Sequence, residues 1–499
     1  MTAVLALLPL GAVVGLMLGL KWRAGSAGLA GLVVAVGLAW TVFGLGQGQA
    51  APFGPAGMSG GALLEAGFTS LSILWIIFPA LVLHELQSRS GALLVLREAV
   101  GRISPDPRTQ VVLIAWFFGL FMEGAAGFGV PVALTAPLLA GLGFPPVRAV
   151  VLALLGHAAG VSFGALGTPI LAQAELMGAS ALAIGQETAL LNLALGWFLL
   201  AALIWLAGER PPTVRDGLMG IAAAVCFYLP FLALALWVGP ELPTAGGALI
   251  GGGLFALFSA RRRRPEARGR LDLQGRSVVR ALLPYGVIVL LVLATRLIGP
   301  LAQTLQGLAI TWSLGEVFGG RLSPLYHPGG VLAAGLVLGG IAQGRNWGDF
   351  AEAAAAAVAR LGPVALALFV MLALSRIMVH SGMIAALAGA AAGSAGIWPL
   401  LAPSIGALGA FVTGSATASN ILLTPFQTAT AEALDLPQTR MAAAQGVGAG
   451  VGNIISPHNI IAGAATVGLK GEEGAVLRQT AGICLFYLAA AGVLAFLLT

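Results

Sequence analysis

The sequence predicts an all-α polytopic membrane protein with about 12 spans, on the evidence of its composition and its patterning. Of the 499 residues, 58% are hydrophobic and only 9% are charged, and the mean hydropathy is +0.96. Ordinary soluble proteins are about one quarter charged. The apolar stretches are continuous, whereas the strands of a membrane β-barrel alternate apolar and polar residues. We therefore expect a bundle of helices within a lipid bilayer.

Twelve apolar windows have a length and composition close to those of membrane helices. They cover residues 3–20, 26–46, 69–87, 149–170, 184–207, 217–238, 245–260, 281–298, 329–343, 361–380, 441–468 and 475–498. Basic residues are concentrated in the loops that follow the odd-numbered windows, including the stretch from Arg261 to Arg280. Because cytoplasmic loops carry an excess of Lys and Arg, this pattern predicts that both termini lie outside the cytoplasm.

Two further apolar segments, residues 109–144 and 397–434, are interrupted in the middle by small and hydroxyl-bearing residues. The first interruption is the string EGAAGFG, which begins at Glu123, and the second is TGSATASN, from Thr413 to Asn420. With arms of about a dozen residues, neither half is expected to cross a bilayer alone. Non-helical backbone within a membrane must be buried in protein or face a watery cavity. We therefore predict two re-entrant hairpins.

The two hairpins belong to an internal repeat. Serines, glycines and prolines recur at a separation of about 290 positions, in the pairs Ser90 and Ser381, Gly124 and Gly414, Pro146 and Pro437, and Pro169 and Pro457. We expect a first repeat over residues 1–208, two linking spans with a basic cytoplasmic loop over 209–280, and a second repeat over 281–499. An odd number of spans separates the copies, so the second should be inverted. Inverted repeats are typical of secondary transporters.

A long span with a central interruption follows each hairpin, over residues 149–178 and 441–468. The interruptions are GALGTP, from Gly164 to Pro169, and GNIISPHN, from Gly452 to Asn459. Proline and glycine favour unwinding there, and the helix N-termini that this exposes attract anions. The tips and interruptions together predict a polar chamber at mid-membrane. Its expected substrate contacts from backbone and small side chains are Gly124, Ala125, Gly167, Thr168, Gly414 and Ser456.

Glu123 is the candidate for proton coupling. It lies at the first hairpin tip within an otherwise apolar stretch. Carboxyl groups within membranes are energetically expensive, and they commonly serve as proton carriers. The alternative is a neutral glutamic acid that forms hydrogen bonds with free backbone groups at the tip.

The second tip and the second interruption supply side chains that can form hydrogen bonds with a substrate. Hydroxyl and amide groups can donate to a carboxylate, and the candidates are Thr413, Ser415, Thr417, Ser419, Asn420, His458 and Asn459. His458 is a second candidate for proton coupling because histidine changes charge near physiological pH. The alternatives are hydrogen bonds between helices for the hydroxyl groups and a local carbonyl partner for His458.

Two other ionisable residues lie in the apolar stretches. Arg376 is a candidate anion anchor because a guanidinium group binds carboxylates in bidentate fashion. Snorkelling to the membrane surface, or pairing with a structural acid, is the alternative for Arg376. His157 precedes the first interruption, and its glycine and alanine neighbours favour a packing role.

The sequence lacks several motifs that would indicate a pump, a metalloenzyme or a nucleic-acid-binding protein. It contains no glycine-rich phosphate loop with lysine, no HExxH and only two cysteines, Cys226 and Cys484. Its basic stretches are not interleaved with aromatic residues as in nucleic-acid-binding grooves. We therefore predict a protein that is not an enzyme and that holds no metal or cofactor.

Several strings of this sequence resemble motifs of the bacterial L-lactate permease family. The most specific is EGAAGFGVPVA, from Glu123 to Ala133, and the others are GLGF from Gly141, FGALGTPI from Phe163, TGS from Thr413, Ser419-Asn420 and ISP from Ile455. The resemblance covers nearly the whole chain in the same order. The chain differs at Ala416, where the family carries aspartate, and at His458-Asn459, where the family carries Gln-Ser after Ser-Pro.

The resemblance implies a carrier of lactate or glycolate that is coupled to protons and lies in the bacterial inner membrane. It also implies an elevator-like motion of the hairpin region beside a dimer-forming scaffold, and hence a homodimer. Two alternatives stay open, namely the same fold carrying another organic anion with Na⁺ coupling, and a passive anion channel. The concentration of polar groups at one depth favours a carrier, because an open pore needs such groups along its length.

Overall fold

The computed structural model describes residues 2–47, 53–101, 104, 106–127, 129–261, 275–391, 393, 396–469 and 471–499. Most of the predicted basic loop after Arg261 lies outside these residues. The helices of the first half are α1 (Thr2–Gly19), α2 (Ala24–Thr41), α3 (Pro55–Arg89), α4 (Ala92–Gly101), α5 (Pro107–Val111), α6 (Gly119–Ala125), α7 (Val130–Gly141), α8 (Pro146–Val161), α9 (Thr168–Met177) and α10 (Ala181–Leu206). A π-helical segment, Val112–Phe118, joins α5 to α6, and a 3₁₀ turn, Ala165–Gly167, precedes α9.

Two helices, α11 (Val214–Trp237) and α12 (Pro243–Arg261), link the halves. The remaining helices are α13 (Gly275–Leu297), α14 (Gly299–Gly307), α15 (Pro328–Ala342), α16 (Trp347–His380), α17 (Met383–Ala391), α18 (Trp398–Thr413), α19 (Ala416–Ala433), α20 (Gln438–Gly452), α21 (Pro457–Thr466) and α22 (Glu473–Leu498). A 3₁₀ turn, Asn453–Ile455, separates α20 from α21. An antiparallel pair of short strands, β1 (Ile310–Leu314) and β2 (Phe318–Leu322), lies between α14 and α15 and was not predicted.

The two halves of the chain contain the same succession of elements. A helix of about 35 residues, a short helix, a helical hairpin, an interrupted helix and a helix of 26 residues follow one another in α3–α10 and again in α16–α22. Each succession is preceded by an apolar pair, α1 with α2 and α13 with α15. The order of elements is therefore the one that an internal repeat with a spacing of about 290 residues requires.

Nine helices among the described residues are long and apolar enough to span a membrane, compared with the 12 spans that the sequence predicts. The windows at 245–260 and 329–343 correspond to α12 and α15, which count among the shorter apolar helices. The 15 residues of α15 extend about 23 Å, less than the roughly 30 Å of a hydrocarbon core. The window at 441–468 is divided between α20 and α21. The chain is thus a multi-pass helical protein, with fewer full spans than expected.

Each of the two interrupted segments forms a pair of antiparallel helical arms that reverses direction at glycine. In the first, Gly119 faces Thr135 across the turn, and Gly127 and Gly129 adopt positive φ. In the second, Ser419 Oγ of α19 donates a hydrogen bond of 2.7 Å to Gly406 O of α18. Three of the four arms are longer than the predicted dozen residues, because helical structure continues to the glycine at each tip.

The helices pack as two groups. The core group comprises α5–α12 and α18–α22, and the flanking group comprises α1–α4 and α13–α17. In the flanking group, α3 packs along α16, α2 packs on α16, and α15 packs on α3. Between the groups, α19 packs on α16 and α17, and Glu241 of the α11–α12 loop forms a buried ion pair of 2.6 Å with Arg296 of α13.

Candidate functional site

Four helix N-termini, those of α7, α9, α19 and α21, meet where the two hairpin tips approach the two interrupted helices. Gly127 of the first tip lies against Ala165 of the first interruption, and Gly129 lies near Asn459 Oδ1 of the second. At the second tip, Gly414 lies against the side chain of His458. The structure therefore brings together the four interrupted segments that the sequence singled out.

Three of these N-termini leave their first turns open to a ligand. Among the described residues, no side chain forms a capping hydrogen bond at Gly129, Gly167 or Ser456, the residues that precede α7, α9 and α21. Only α19 is capped, by Ser415 Oγ, which accepts a hydrogen bond from Ala418 N. Free N–H groups and the positive ends of helix dipoles favour an anion at such a place.

Close packing fixes the first tip. Gly124 lies so near α12 that a Cβ atom on it would stand 2.3 Å from the backbone nitrogen of Ala245, so a larger residue cannot be accommodated without a shift. Ala125 is also buried. Glu123 is 5% exposed and lies on α6, one helical turn before the reversal of the chain. The tip thus holds a carboxyl group in an almost closed apolar environment.

His157 of α8 is the nearest ionisable neighbour of Glu123. Its Nε2 lies 4.0 Å from Glu123 Oε2, and the histidine is 1% exposed. Its Nδ1 lies 2.9 Å from Ala153 O, and since a carbonyl oxygen only accepts, Nδ1 carries a proton. In neutral histidine, Nε2 is then an acceptor that faces the carboxyl group. The sequence favoured a packing role for His157, whereas the structure places this residue beside Glu123.

A chain of amide groups connects this pair to the second tip. The side chain of Asn453 interacts with His157, and Asn459 Nδ2 donates to Asn453 Oδ1 over 2.6 Å. Asn459 Nδ2 also lies 3.2 Å from Gly414 O. Because Asn453 and Asn459 flank the second interruption, they connect the carboxyl group of one hairpin to the backbone of the other.

Local contacts within the second hairpin occupy most of its hydroxyl groups. Thr413 Oγ1 donates to Gly409 O (2.8 Å), while Ser415 caps α19 and Ser419 joins the two arms. These contacts match the alternative of hydrogen bonding between and within helices. Thr417 is buried on the first turn of α19. Ala416 packs with Val161, Ala410 and Ala449, so this position of the second tip is apolar.

The remaining predicted contacts surround the two interruptions. Gly167 lies against the carbonyl group of Pro240, and Thr168 Oγ1 donates to Ala165 O. Ser456 is fully buried, and its Oγ has no hydrogen-bond partner among the described residues. His458, by contrast, is exposed. Ser456 is thus a buried hydroxyl group of the site that no described residue occupies.

Asn420 is the centre of a group of neutral polar side chains that we call the amide cluster, namely Gln173, Asn420, Thr424 and Gln445. Asn420 Nδ2 donates to Pro169 O (3.2 Å), and Gln445 Nε2 donates to Asn420 Oδ1 (3.3 Å) and to Thr424 Oγ1 (3.2 Å). Gln173 Nε2 donates to Ala442 O (2.8 Å). All four side chains are fully buried between α9, α19 and α20.

Arg376 does not face the meeting point of the helix N-termini as a free cation. Its Nη1 lies 3.5 Å from Glu65 Oε1, and His380 Nε2 lies 2.9 Å from Glu65 Oε2. Both contacts are between α16 and α3 within the flanking group. The structure thus favours the alternative in which Arg376 pairs with a structural acid, here Glu65. This geometry does not support Arg376 as an anion anchor.

Sequence reasoning missed three features that the structure adds to the site. These are the proximity of His157 to Glu123, the glutamines of the amide cluster, and the ion pair between Glu241 and Arg296. The signal for the glutamines was the presence of amide side chains in otherwise apolar helices, whose partners lie about 20 to 270 positions away. Among the described residues, no group of His, Cys, Asp and Glu is suited to a metal ion.

Comparisons of sequence assign this architecture to a family. A family model described as L-lactate permease matches residues 2–499. An L-lactate permease from Streptococcus iniae is 30% identical over 385 residues, covering 74% of this chain and 80% of that protein. The glycolate permease GlcA from Escherichia coli strain K12 is 29% identical over 482 residues, covering 85% of this chain and 84% of that protein.

Solved structures show a similar fold at low sequence identity. The YdaH transporter of Alcanivorax borkumensis, described as having an unusual topology, matches with a TM-score of 0.56 and 17% identity over 95% of this chain and 98% of that chain. MtrF of Neisseria gonorrhoeae, described among antimetabolite efflux pumps, matches with a TM-score of 0.50, 16% identity and coverage of 95% and 94%. The chain belongs to the L-lactate permease family and is a multi-pass membrane transporter, not an enzyme.

Proposed function

We propose that the protein is a secondary active transporter that carries a small 2-hydroxymonocarboxylate, such as lactate or glycolate, together with a proton. The meeting of four helix N-termini beside the buried pair of Glu123 and His157 is the observation on which the proposal depends. The helix N-termini can bind a carboxylate, and the pair of Glu123 and His157 can bind a proton. The relatives are named for lactate and glycolate, and both anions have a hydroxyl group on the carbon next to the carboxylate.

In this proposal, the substrate carboxylate lies against the first turns of α7, α9 and α21. These turns lack side-chain caps, and Ser456 Oγ is available as an additional donor. Fixed backbone donors in a site closed to water bind an anion without requiring a buried cation. The predicted contacts at Gly124, Gly167, Thr168 and Gly414 then shape the site, since each lies at a tip or an interruption.

Glu123 takes up and releases the coupling proton, and His157 is its neighbour. When Glu123 is protonated, it can donate to His157 Nε2 after the two groups close their separation of 4.0 Å. Transfer of the proton from Glu123 to His157 Nε2 gives an ion pair that still holds one proton, and loss of that proton to water then leaves ionised Glu123 beside neutral His157. His458, the other residue predicted to couple protons, lies on the exposed side of the site and serves in this proposal as a lining group.

An elevator-like motion agrees with the division into two groups of helices. The two hairpins and both interrupted helices lie in the core group, whose boundary with α3 and α13 contains an apolar cavity. Leu83, Tyr285, Ile288 and Val289 line this cavity from the flanking group, and Phe121, Ala125, Leu166, Leu242, Ala245 and Leu249 line it from the core group. The apolar side chains that line this cavity form no directional hydrogen bonds that would resist sliding, and the buried ion pair between Glu241 and Arg296 is the polar contact that such a motion would have to break.

The same proposal includes the membrane topology. The hairpins are re-entrant and the second repeat is inverted relative to the first, with repeats over residues 1–208 and 281–499 and linking spans between them. Both termini lie outside the cytoplasm because basic residues follow the odd-numbered spans. The protein resides in a bacterial inner membrane as a homodimer formed through the flanking group. Cysteine accessibility at both termini and mass measurement in detergent test these points.

Uptake of labelled lactate into proteoliposomes tests the function directly. We expect an imposed pH gradient to drive accumulation in the wild type. Glu123→Gln removes the proton-binding group and should abolish gradient-driven accumulation while retaining lactate counterflow. Glu352→Gln, which makes the same chemical change at an exposed carboxylate paired with Arg89, should behave as the wild type.

Two outcomes would contradict the proposal. The wild type could show no uptake that depends on the pH gradient, or Glu123→Gln could retain full coupling. Replacement of Na⁺ by choline separates proton coupling from the alternative of Na⁺ coupling, because only the latter predicts a loss of uptake.

A further inference from the structure

The amide cluster contains buried oxygen atoms that have no hydrogen-bond partner among the described residues. They are Gln173 Oε1 and Gln445 Oε1, and both side chains are fully buried. A buried acceptor left without a partner costs about 1–3 kcal/mol. A ligand that donates a hydrogen bond to one of these oxygens would therefore gain free energy on binding.

The orientation of these amides is fixed, so a rotation of the amide groups does not remove the free acceptors. Gln173 Nε2 donates to Ala442 O and Asn420 Nδ2 donates to Pro169 O, and both partners are backbone carbonyl groups that only accept. Asn420 must then present its oxygen to Gln445, which in turn must present its nitrogen. The two glutamine oxygens are consequently left as acceptors.

The position of the cluster connects it to the substrate. Asn420 contacts Pro169, which is the second residue of α9 and adjoins one of the uncapped N-termini. Gln173 lies one helical turn further along α9. The amide groups of Gln173 and Asn420 both lie close to Gly446. The amide cluster therefore adjoins the N-terminus of α9, one of the places where the proposed function puts the substrate carboxylate.

The first hairpin shows that such a cluster is not a requirement of the architecture. The positions that precede Asn420, Thr424 and Gln445 by 290 residues are Val130, Leu134 and Leu155. Equivalent helices therefore pack with apolar side chains at these positions. The polar residues of the second repeat need an explanation other than helix packing.

We infer that the amide cluster recognises the α-hydroxyl group of the substrate, with Gln173 and Gln445 as its acceptors, an inference that rests on the proposed function. A hydroxyl group has a single proton, which forms a hydrogen bond with one of these two oxygens or is shared between them. A carboxylate without the hydroxyl group leaves them unpaired. Gln173 and Gln445 are thus specificity-determining residues that distinguish 2-hydroxy acids from plain carboxylates of the same length.

The test compares uptake of lactate with uptake of propionate, which has the same carbon skeleton without the hydroxyl group. We expect kcat/KM of the wild type to favour lactate by about tenfold or more, the ratio implied by one buried unpaired acceptor. Gln173→Met and Gln445→Met should reduce the ratio toward one. Both substrates are measured on the same preparation, so a lower amount of folded variant does not change the ratio.

Gln427→Met is the matched control. Gln427 is a fully buried glutamine on the same helix as Asn420, and neither end of its amide has a partner among the described residues. Its replacement should leave the ratio of lactate to propionate at the wild-type value. If a methionine variant does not transport, the shift of its Tm by lactate and by propionate gives the same comparison, since binding to the folded state raises Tm.

The outcomes separate this inference from the proposed function. If the wild type transports neither acid, the proposed function fails. If it transports lactate but prefers it to propionate by no measurable factor, or if both methionine variants keep the wild-type ratio, the inference fails and the cluster holds water only.

Discussion

The hairpin that reverses at Gly127 and the hairpin that reverses at Gly414 share one arrangement of helices, but they carry different chemistry. At the first tip, a carboxyl group and an imidazole lie 4.0 Å apart in apolar surroundings. The residue 290 positions after Glu123 is Thr413, whose hydroxyl group donates to the backbone of its own helix. The second hairpin instead carries neutral amides and hydroxyl groups along α19.

Under the proposed function, the two hairpins have different tasks. A group that exchanges protons must change its charge, and a nearly closed environment with one ionisable neighbour couples that change to the neighbour. A group that recognises a neutral hydroxyl must keep its hydrogen-bonding pattern at all pH values, which amides do. We infer that duplication supplied a common frame of helix N-termini, in which one copy handles the proton and the other handles the substrate.

The largest effect that this comparison predicts is at His157. His157→Leu removes the only ionisable neighbour of Glu123 within 4.0 Å among the described residues, so the carboxyl group has no partner with which to share the proton. We expect lactate accumulation driven by a pH gradient to fall to the background of protein-free liposomes.

His458→Gln is the control for this prediction. His458 is exposed, and glutamine keeps a polar side chain at this position without an ionisable group. This variant should retain gradient-driven accumulation. Equal loss of coupling in both variants would show that the proton is not confined to the first hairpin.

A smaller effect is expected at the contact between the second tip and the second interruption. Asn459→Leu removes hydrogen bonds to Gly414 O and to Asn453 Oδ1, and it leaves the buried Asn453 side chain without this donor, whereas Gly414 O keeps a donor in Asn453 Nδ2. We expect a loss of about 1–3 kcal/mol in the free energy of unfolding, measured by denaturation in detergent. An unchanged stability would show that the contact between the second tip and the second interruption does not hold the site together.

Much of the fold could be predicted from the sequence because membrane helices and their interruptions leave local signals. The hydropathy windows found the long spans, and glycine with proline marked the tips and the interruptions near Gly414 and Pro169. The lengths of the helices were predicted less well. Polar residues such as Glu65 lie within α3, so hydropathy alone placed the start of this helix 14 residues too late.

The site was predicted at the level of segments but not of contacts. Glu123 and Asn420 were identified because a polar side chain in an apolar stretch is a local observation. The proximity of His157 to Glu123, and of Gln173 to Asn420, depends on how four interrupted segments pack, which a single sequence does not show. Arg376 was also identified as a polar side chain in an apolar stretch, but its role as an anion anchor is not supported. Its partner Glu65 lies about 310 positions away in the sequence and gives no local signal.

The smallest effect, and the most specific test of the comparison, concerns one hydroxyl group in each hairpin. Thr424 Oγ1 contacts Gln445 Nε2 of another helix, whereas Thr135 Oγ1 donates to Pro131 O of its own helix. Thr424→Val conserves volume and should cost about 1 kcal/mol of stability and weaken the preference for lactate over propionate, because Gln445 loses one of its acceptors. Thr135→Val should cost less and leave that preference unchanged. If the two variants affect the preference equally, the neutral chemistry of the second hairpin is not specific to the substrate, and the division of tasks between the hairpins is wrong.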